Sequence, residues 1–391
     1  MSSFPGASGP PQDTTGSTPR PPVSRRGLLA GGLGLAAPLL VAGCTGSAAP
    51  PTATPSSPRT PVPRREPGPV YRAVDGFIYA PDGSLFTPLG ANVGTTSSFD
   101  WKGDSQGHSA AALAWGWNTV RLNLMVTGGT SWSYVAQKSQ DALLELTGRI
   151  VDEYTAAGIV VVLDAHDNPR AKGQDQAEVE AGMVAWWKLA AAAFKDNPRV
   201  WCGLINEPSY TNDAWVKIMD TLAGAVRGAG NQGPILVGAP CWGQDVGYTS
   251  PYFTDARFAY EPSMAPAVAS RYGNVILEQH NYGAYGMYST PDKFGDYIET
   301  VRAAGLTPLV GEFGYTVSKE KSPDVYDANY SAAQTVFEIA ASRNVGALWW
   351  HATHGDNYSL TASGSAFWTG RTGSGLSDGG TRLWEFGHRD G

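Results

Sequence analysis

Two glutamates, Glu207 and Glu312, stand where short apolar runs give way to polar and aromatic residues. Asn206 and Pro208 flank the first, and Gly311 and Phe313 the second, with Gly314 just beyond. Other runs end in Arg121 and Asn123; in Asp164, His166, Asp167 and Asn168; in Trp242 and Gln244; in His280, Asn281 and Tyr282; and in Trp350, His351 and His354. Four of the six histidines fall in this narrow set, which a random scatter would rarely produce. Two carboxyl groups in unlike surroundings can divide acid and base work. One, kept neutral, hands a proton to a leaving oxygen; the other, kept ionised, acts from the opposite side of the bond.

Taken singly, each residue also has an ordinary structural reading. Glu207 before Pro208 suits a helix N-terminus, where the dipole favours an acid. Glu312 could be a surface carboxylate, Arg121 an internal ion-pair partner, and each histidine a satisfied core or loop residue. Trp349 and Trp350 are strand neighbours and face opposite sides, so only one of them joins the set, with Trp350 preferred. The turn His351–Asp356 is rich in histidine, but it offers no familiar tetrahedral ligand set and HExxH is missing. No metal and no cofactor are expected.

A set gathered from run ends requires elements that bring those ends together. From about residue 70, β-branched runs alternate with longer amphipathic stretches, the pattern of repeated βα units and a parallel sheet. The runs predict strands over Thr87–Val93, Thr119–Met125, Ile159–Asp164, Val200–Ile205, Pro234–Ala239, Asn274–Gln279, Thr307–Gly311 and Val345–Trp350. Helices are expected over 139–157, 176–195, 213–229, 292–304 and 325–343, with a last one near Arg382–Phe386; the segment after the fifth strand is irregular. Eight such units predict an α/β chain closed as a (β/α)8 TIM barrel, whose chemistry sits at the C-terminal ends of its strands. An open doubly wound sheet is the rival, but the glycine-rich phosphate loop it would show after its first strand is absent.

The first seventy residues have a different character. Residues 1–44 contain Arg25-Arg26 and an apolar run, and end in Val41-Ala42-Gly43-Cys44; they resemble a twin-arginine export signal closing on a lipobox, with Cys44 as the lipidated residue. Residues 45–69 are a Pro/Thr/Ser tract that would stay extended and hold a domain comprising 70–391 away from a membrane. Localisation is therefore expected at the cell surface or outside the cell, with membrane contact only through the lipid. Cys202 and Cys241 lie on neighbouring predicted strands and could pair, but two buried thiols are the preferred reading. The chain carries a formal charge of −7. Residues 70–391 hold 22 basic and 33 acidic side chains, a field that repels a phosphate backbone and removes nucleic acid as a partner.

Several segments resemble glycoside hydrolase family 5, a retaining (β/α)8 family of cellulases and β-mannanases. Gly203-Leu204-Ile205-Asn206-Glu207-Pro208 is similar to the family's fourth-strand Asn-Glu-Pro signature, and Leu309-Val310-Gly311-Glu312-Phe313-Gly314 to the seventh-strand motif. Thr119-Val120-Arg121-Leu122, Val162-Leu163-Asp164-Ala165-His166, Gln279-His280-Asn281-Tyr282 and Leu348-Trp349-Trp350 resemble four further motifs, all in the family's order. The resemblance implies Glu207 as acid/base and Glu312 as nucleophile, with Arg121 and Tyr282 holding Glu312. It implies Asn206 at the sugar 2-hydroxyl, His166 and His280 beside the sugar in the cleavage subsite, and Trp350 as its stacking floor. Trp242 is a further substrate contact; Trp101, Trp132, Tyr285, Tyr288 and Trp368 lie in predicted cleft loops. The expected partner is a neutral β-linked polysaccharide or oligosaccharide, met by a monomer. A β-1,4-glucan is the expected substrate and β-mannan the alternative; a catalytically weak glycan-binding barrel is the reading from a different class.

Overall fold

The structure, a computed structural model, describes residues 62–94, 107–127, 139–167, 175–210, 212–245, 261–283, 288–317, 323–352, 358–362 and 375–389. A hairpin comes first, β1 (Arg72–Val74) and β2 (Phe77–Tyr79). Asp75 and Gly76 turn it, both at positive φ (51° and 81°), the conformation that an Asp-Gly pair supplies for a tight hairpin. Sequence reading misses this hairpin because its strands are only three residues long.

The eight predicted strands are all present, with ends moved by a residue or two: β3 (Leu89–Gly94), β4 (Thr119–Leu124), β5 (Val160–Ala165), β6 (Val200–Gly203), β7 (Ile235–Gly238), β8 (Val275–Asn281), β9 (Thr307–Phe313) and β10 (Gly346–Trp349). They are hydrogen-bonded in parallel and close into a barrel, β10 pairing with both β9 and β3. Between them run α1 (His108–Ala114), α2 (Gln140–Ala156), α3 (Gln176–Phe194), α4 (Asn212–Gly228), α5 (Glu261–Tyr272), α6 (Pro291–Ala303) and α7 (Pro323–Arg343); α8 (Asp378–Gly387) follows β10. The irregular segment after the fifth barrel strand contains α5, which accommodates Pro266.

Local chemistry explains several helix starts. Ser139 Oγ accepts from Ala142 N at 3.0 Å ahead of α2, Asp175 Oδ1 from Ala177 N at 2.9 Å ahead of α3, and Ser377 Oγ from Gly380 N at 3.0 Å ahead of α8. Each side chain satisfies an N–H that the first turn leaves without a partner.

The apolar residues form two bodies. The larger lies between sheet and helices, and buries Trp115, Trp117, Trp186, Trp187, Trp215 and Trp349. The smaller fills the lower barrel interior with Val160, Val162, Trp201, Leu236, Ile276, Leu309 and Leu348, and Tyr71 and Ile78 of the hairpin region close its floor. Tyr71, Phe86 and Trp201 meet edge to face there, with centroids 4.9–5.9 Å apart. The chain joins this folded body before residue 70: Arg65 N donates to Gly83 O (2.9 Å) and Gly68 N to Pro81 O (2.8 Å). Cys202 and Cys241 are both buried thiols. Cys44 and the rest of the export segment lie outside the described residues.

Trp201 is the largest side chain of the floor, so Trp201→Ala should cost about 3–5 kcal/mol through the cavity it leaves. Denaturant unfolding of the two proteins checks this; a loss below about 1 kcal/mol would show that the floor collapses around the gap.

Candidate active site

Side chains alternate between the two faces of a strand, so every second residue of a barrel strand points inward. On β5 the apolar floor residue Val162 is followed two positions later by Asp164, and on β8 Ile276 is followed by Glu278 and then His280. The interior therefore changes from apolar to ionic within one layer. Arg121 sits at the centre of the ionic layer with a fully buried side chain. Its Nη1 donates to Asn92 Oδ1 (2.8 Å) and Glu312 Oε1 (2.9 Å). Its Nη2 donates to Asn206 Oδ1 (2.8 Å) and lies 3.0 Å from Asp164 Oδ1, and its Nε is 2.6 Å from Glu278 Oε1. One guanidinium, with five donors in a fixed plane, thus ties its own strand to groups from five others or their ends.

Glu312 reaches this layer through an irregularity. Leu309 faces the floor and Gly311, two residues on, also faces inward, so strict alternation would turn Glu312 outward. The pairing of β9 slips here: Gln279 opposes Val310 while His280 opposes Glu312, leaving Gly311 as the extra residue, and the β10 pairing slips at the same place. This is a β-bulge, and it aims Glu312 into the barrel. Glu312 Oε2 accepts from Tyr282 Oη at 3.2 Å.

Glu207 follows the end of β6. Its φ of 42° is a left-handed conformation uncommon outside glycine. Asn206 N donates to Ala165 O (2.9 Å), and the buried Trp187 indole of α3 donates to Leu204 O (2.9 Å), so the approach to Glu207 is pinned from both sides. His280 Nδ1 lies 3.0 Å from Glu207 Oε1 and 3.4 Å from Glu312 Oε2. One oxygen of each glutamate and one His280 ring nitrogen all lie within 4.8 Å of one another. The turn after β7 presses its backbone on the His280 ring: Cys241, Trp242, Gly243 and Asp245 all have positive φ, and a Cβ at Gly243 would overlap the imidazole.

Electrostatics separate these groups. Burial works against the charge of Arg121, but Asp164, Glu278 and Glu312 outweigh it and raise its pKa further. Burial likewise opposes charge on His280, yet Glu312, Glu207 and Glu278 push its pKa up to about 10. Asp164 loses by burial and gains more from Arg121 and His166, which hold it below the usual carboxylate range. Glu312 is raised, since burial and the Glu207 charge together exceed the help from His280 and Arg121.

The sequence-predicted residues are thus largely gathered at one mouth. His166 Nδ1 is 2.7 Å from Asp164 Oδ2, and its ring stacks parallel to Trp350, 5.4 Å between centroids. Trp349 is fully buried against Phe313 and Tyr315 in the outer core, so Trp350 is the member of the pair at the mouth. Trp242 lies half-buried on the turn after β7. Tyr288 corrects an expectation: it is buried against Phe294 and Tyr297 and donates to Asp245 O (2.9 Å), so it lines no cleft. Asp167 is a bracket for the loop after β4, accepting from Val126 N at 2.6 Å and from the Thr127 hydroxyl. Trp101, Trp132, Asn168, Tyr285, His354 and Trp368 lie outside the described residues. Two members were missed, Asn92 and Glu278. Both sit inside strands rather than at their ends, and their signal was a polar residue on the inward face of an otherwise apolar run.

Residues 87–356 match the profile of the cellulase family, glycosyl hydrolase family 5. Similar curated proteins include a mannan endo-1,4-β-mannosidase of Streptomyces lividans, 27% identical over 71% of this chain and 64% of its own length. A β-mannanase/endoglucanase A of Caldicellulosiruptor saccharolyticus is 26% identical over 61% of this chain and 17% of its own length. The chain therefore spans less than two thirds of either relative. A crystal structure of a β-mannanase from Streptomyces thermolilacinus with mannohexaose superimposes with a TM-score of 0.61 at 22% identity, covering 82% of this chain and 94% of the other. The catalytic domain of a Thermobifida fusca endoglucanase gives 0.63 at 15% identity, covering 81% and 97%. Both structures share the fold.

Removing Arg121 leaves three carboxylates buried without their common cation. Arg121→Met should destabilise the protein by about 3–5 kcal/mol, measured by denaturant unfolding. The raised pKa of His280 also has a pH signature. Its charged form contributes stability that is complete below the unfolded value of about 6.5 and is lost as pH rises through about 10. The Tm should fall across that window, and calorimetry of His280→Asn should show a shallower fall.

Proposed function

The chain belongs to glycosyl hydrolase family 5, and we propose that it cleaves β-1,4-linked mannan with retention of configuration, Glu207 serving as acid/base and Glu312 as nucleophile. The observation that carries this reading is the approach of the two carboxyl groups, an oxygen of each within 4.8 Å. A separation near 5–5.5 Å suits direct attack by the second carboxylate, whereas inversion needs roughly 6.5–9.5 Å to seat a water. In the first step Glu312 attacks the anomeric carbon while the C–O bond to the leaving sugar breaks and Glu207 protonates that oxygen. In the second, water attacks the same carbon, gives its proton to Glu207, and the ester bond to Glu312 breaks.

The surrounding groups fit their parts. Arg121 Nη1 and Tyr282 Oη hold one oxygen each of Glu312 and aim it. Asn206 gives its carbonyl oxygen to Arg121, which leaves its NH₂ to donate to a sugar hydroxyl. His166 and Trp350 form a stacked pair at the mouth, a surface suited to the face of a sugar ring. Mannan is preferred to the glucan expected from sequence because both curated relatives carry mannan-cleaving activity in their names. The second of them also carries endoglucanase, which keeps β-1,4-glucan as a second substrate. Glucose and mannose differ in the configuration of one hydroxyl, a hydrogen-bonding difference of the kind that a few polar contacts discriminate.

For the rest of the chain, we propose that residues 1–44 are an export signal ending at the lipidated Cys44 and that residues 45–69 are the tether. The Arg25-Arg26 pair, the apolar run after it and the small residues before Cys44 support that reading.

Galactomannan, barley β-glucan and carboxymethylcellulose, each incubated with the wild type and with Glu312→Ala, test the proposal. Reducing ends should appear fastest from galactomannan, with the β-anomer formed first by NMR, and fall by about 10³-fold or more in the variant. Faster release from either glucan would reverse the substrate order. No release from any polymer, with sugar binding retained, would replace the enzyme by a glycan-binding barrel.

A further inference from the structure

Glu278 has no part in the reaction just described, yet it lies buried in the ionic layer of the barrel, 1% exposed. Its place is built for it. A Cβ at Gly311 would overlap Glu278 Oε1, Cγ and Cδ, so the bulge residue on β9 is open only because it carries no side chain. The same oxygen faces two nitrogens, Arg121 Nε at 2.6 Å and His280 Nε2 at 3.8 Å. Neither Glu278 Oε1 nor Arg121 Nε has a hydrogen bond among the described residues, so the contact between them is ionic.

The His280 ring therefore has carboxylates at both edges. Nδ1 faces Glu207 and Glu312, and Nε2 faces Glu278. A neutral imidazole has one donor and one bare lone pair. Either tautomer would turn that lone pair towards a carboxylate, while the imidazolium presents N–H at both edges. We propose that Glu278 is a positioning residue whose carboxylate, seated between Arg121 Nε and His280 Nε2, holds His280 as a doubly protonated cation bridging Glu207 and Glu312. This rests on the assignment of those two glutamates above.

The other charged neighbours agree with that state. Arg121 on β4 is engaged by Asp164, Glu278 and Glu312, and His166 on β5 is turned to Asp164. Tyr282 donates to Glu312. The turn after β7 puts backbone on the ring, and its Asp245 accepts from Tyr297 Oη (2.9 Å). The carboxylates around His280 thus outnumber the cations, and the upward shift of its pKa accords with this. The consequence for the reaction is directional. An N–H fixed on Glu207 Oε1 leaves Oε2 to carry the transferable proton, and the same cation offsets the burial of Glu312 at the moment it leaves the sugar.

The test is the protonation of the ring, read without substrate. In the full chain labelled with ¹⁵N-histidine, the His280 resonances, identified by their loss in His280→Asn, should show a doubly protonated ring between about pH 5 and 8. In Glu278→Gln the ring should titrate at least about one pH unit lower. With the ring still charged at pH 7, the kcat loss should be small there and grow to about tenfold as pH rises through the lowered titration, with KM changed less than about twofold. Glu278→Asp, which keeps the charge, should return the titration towards the wild-type value. A singly protonated ring in the wild type at pH 6 would overturn the proposal, and so would a Glu278→Gln titration or pH profile of kcat equal to wild type. If Glu278→Gln does not fold, the wild-type and Glu278→Asp titrations still decide. Inactivity of the wild type on every polymer would sink the enzyme reading alone, because the titration needs no turnover.

Discussion

The buried guanidinium of Arg121 is the interaction on which the rest of this barrel depends. A charge with no exposure costs several kcal/mol in desolvation unless every donor finds an acceptor. Here Asn92, Asn206 and Glu312 accept its hydrogen bonds and Asp164, Glu278 and Glu312 balance its charge, residues far apart in sequence that meet only when the sheet is closed. Closure of the barrel and assembly of the site are therefore one event. An arrangement lacking β5, β8 or β9 would leave the guanidinium without one of its carboxylates, which biases the fold towards the single closed topology observed.

The ionic layer lies directly on an apolar one, and the change occurs within single strands. Val162 and Asp164 differ by one step of inward alternation, as do Ile276 and Glu278. Below the step, Trp201 and its neighbours exclude water from the underside of Arg121; above it, the mouth admits water to Glu207, whose side chain is 27% exposed. Glu312 stands between the two regimes at 4% exposure, placed there by the bulge at Gly311. A rigid strand thus holds the buried carboxylate and a left-handed loop residue holds the exposed one. Two chemically identical side chains thus stand in unlike surroundings.

How much of this was legible in the sequence follows from where each signal lies. The eight barrel strands and the main helices were readable because each is long enough to carry its period, and Glu207, His280 and Glu312 because they sit at or near strand ends with polar neighbours; Arg121 lies inside β4 and stood out as a cation in an apolar run. The hairpin of β1 and β2 was too short for any period, although Asp75-Gly76 marked its turn. Asn92 and Glu278 were passed over because only strand ends were read. The bulge could not be counted in advance, since whether Gly311 is an ordinary inward residue or an inserted one depends on its partners on β8 and β10. Tyr288 was misplaced for a related reason: an aromatic in a loop packs as readily under it as over a cleft, and here Phe294 and Tyr297 were waiting beneath.

The charged layer is therefore more deeply written into this chain than the rim above it. Arg121, Asp164, Glu278, His280 and Glu312 are strand residues that hold one another, and changing any of them disturbs the charge balance of the barrel itself. Trp242 sits on the turn after β7, Trp350 beyond the end of β10, and both are only half-buried. Substitutions at such positions alter what the mouth can hold without touching the charged layer beneath. A scaffold divided in this way can change what its rim holds, while Glu207, Glu312 and the cations around them stay fixed by the charged layer beneath.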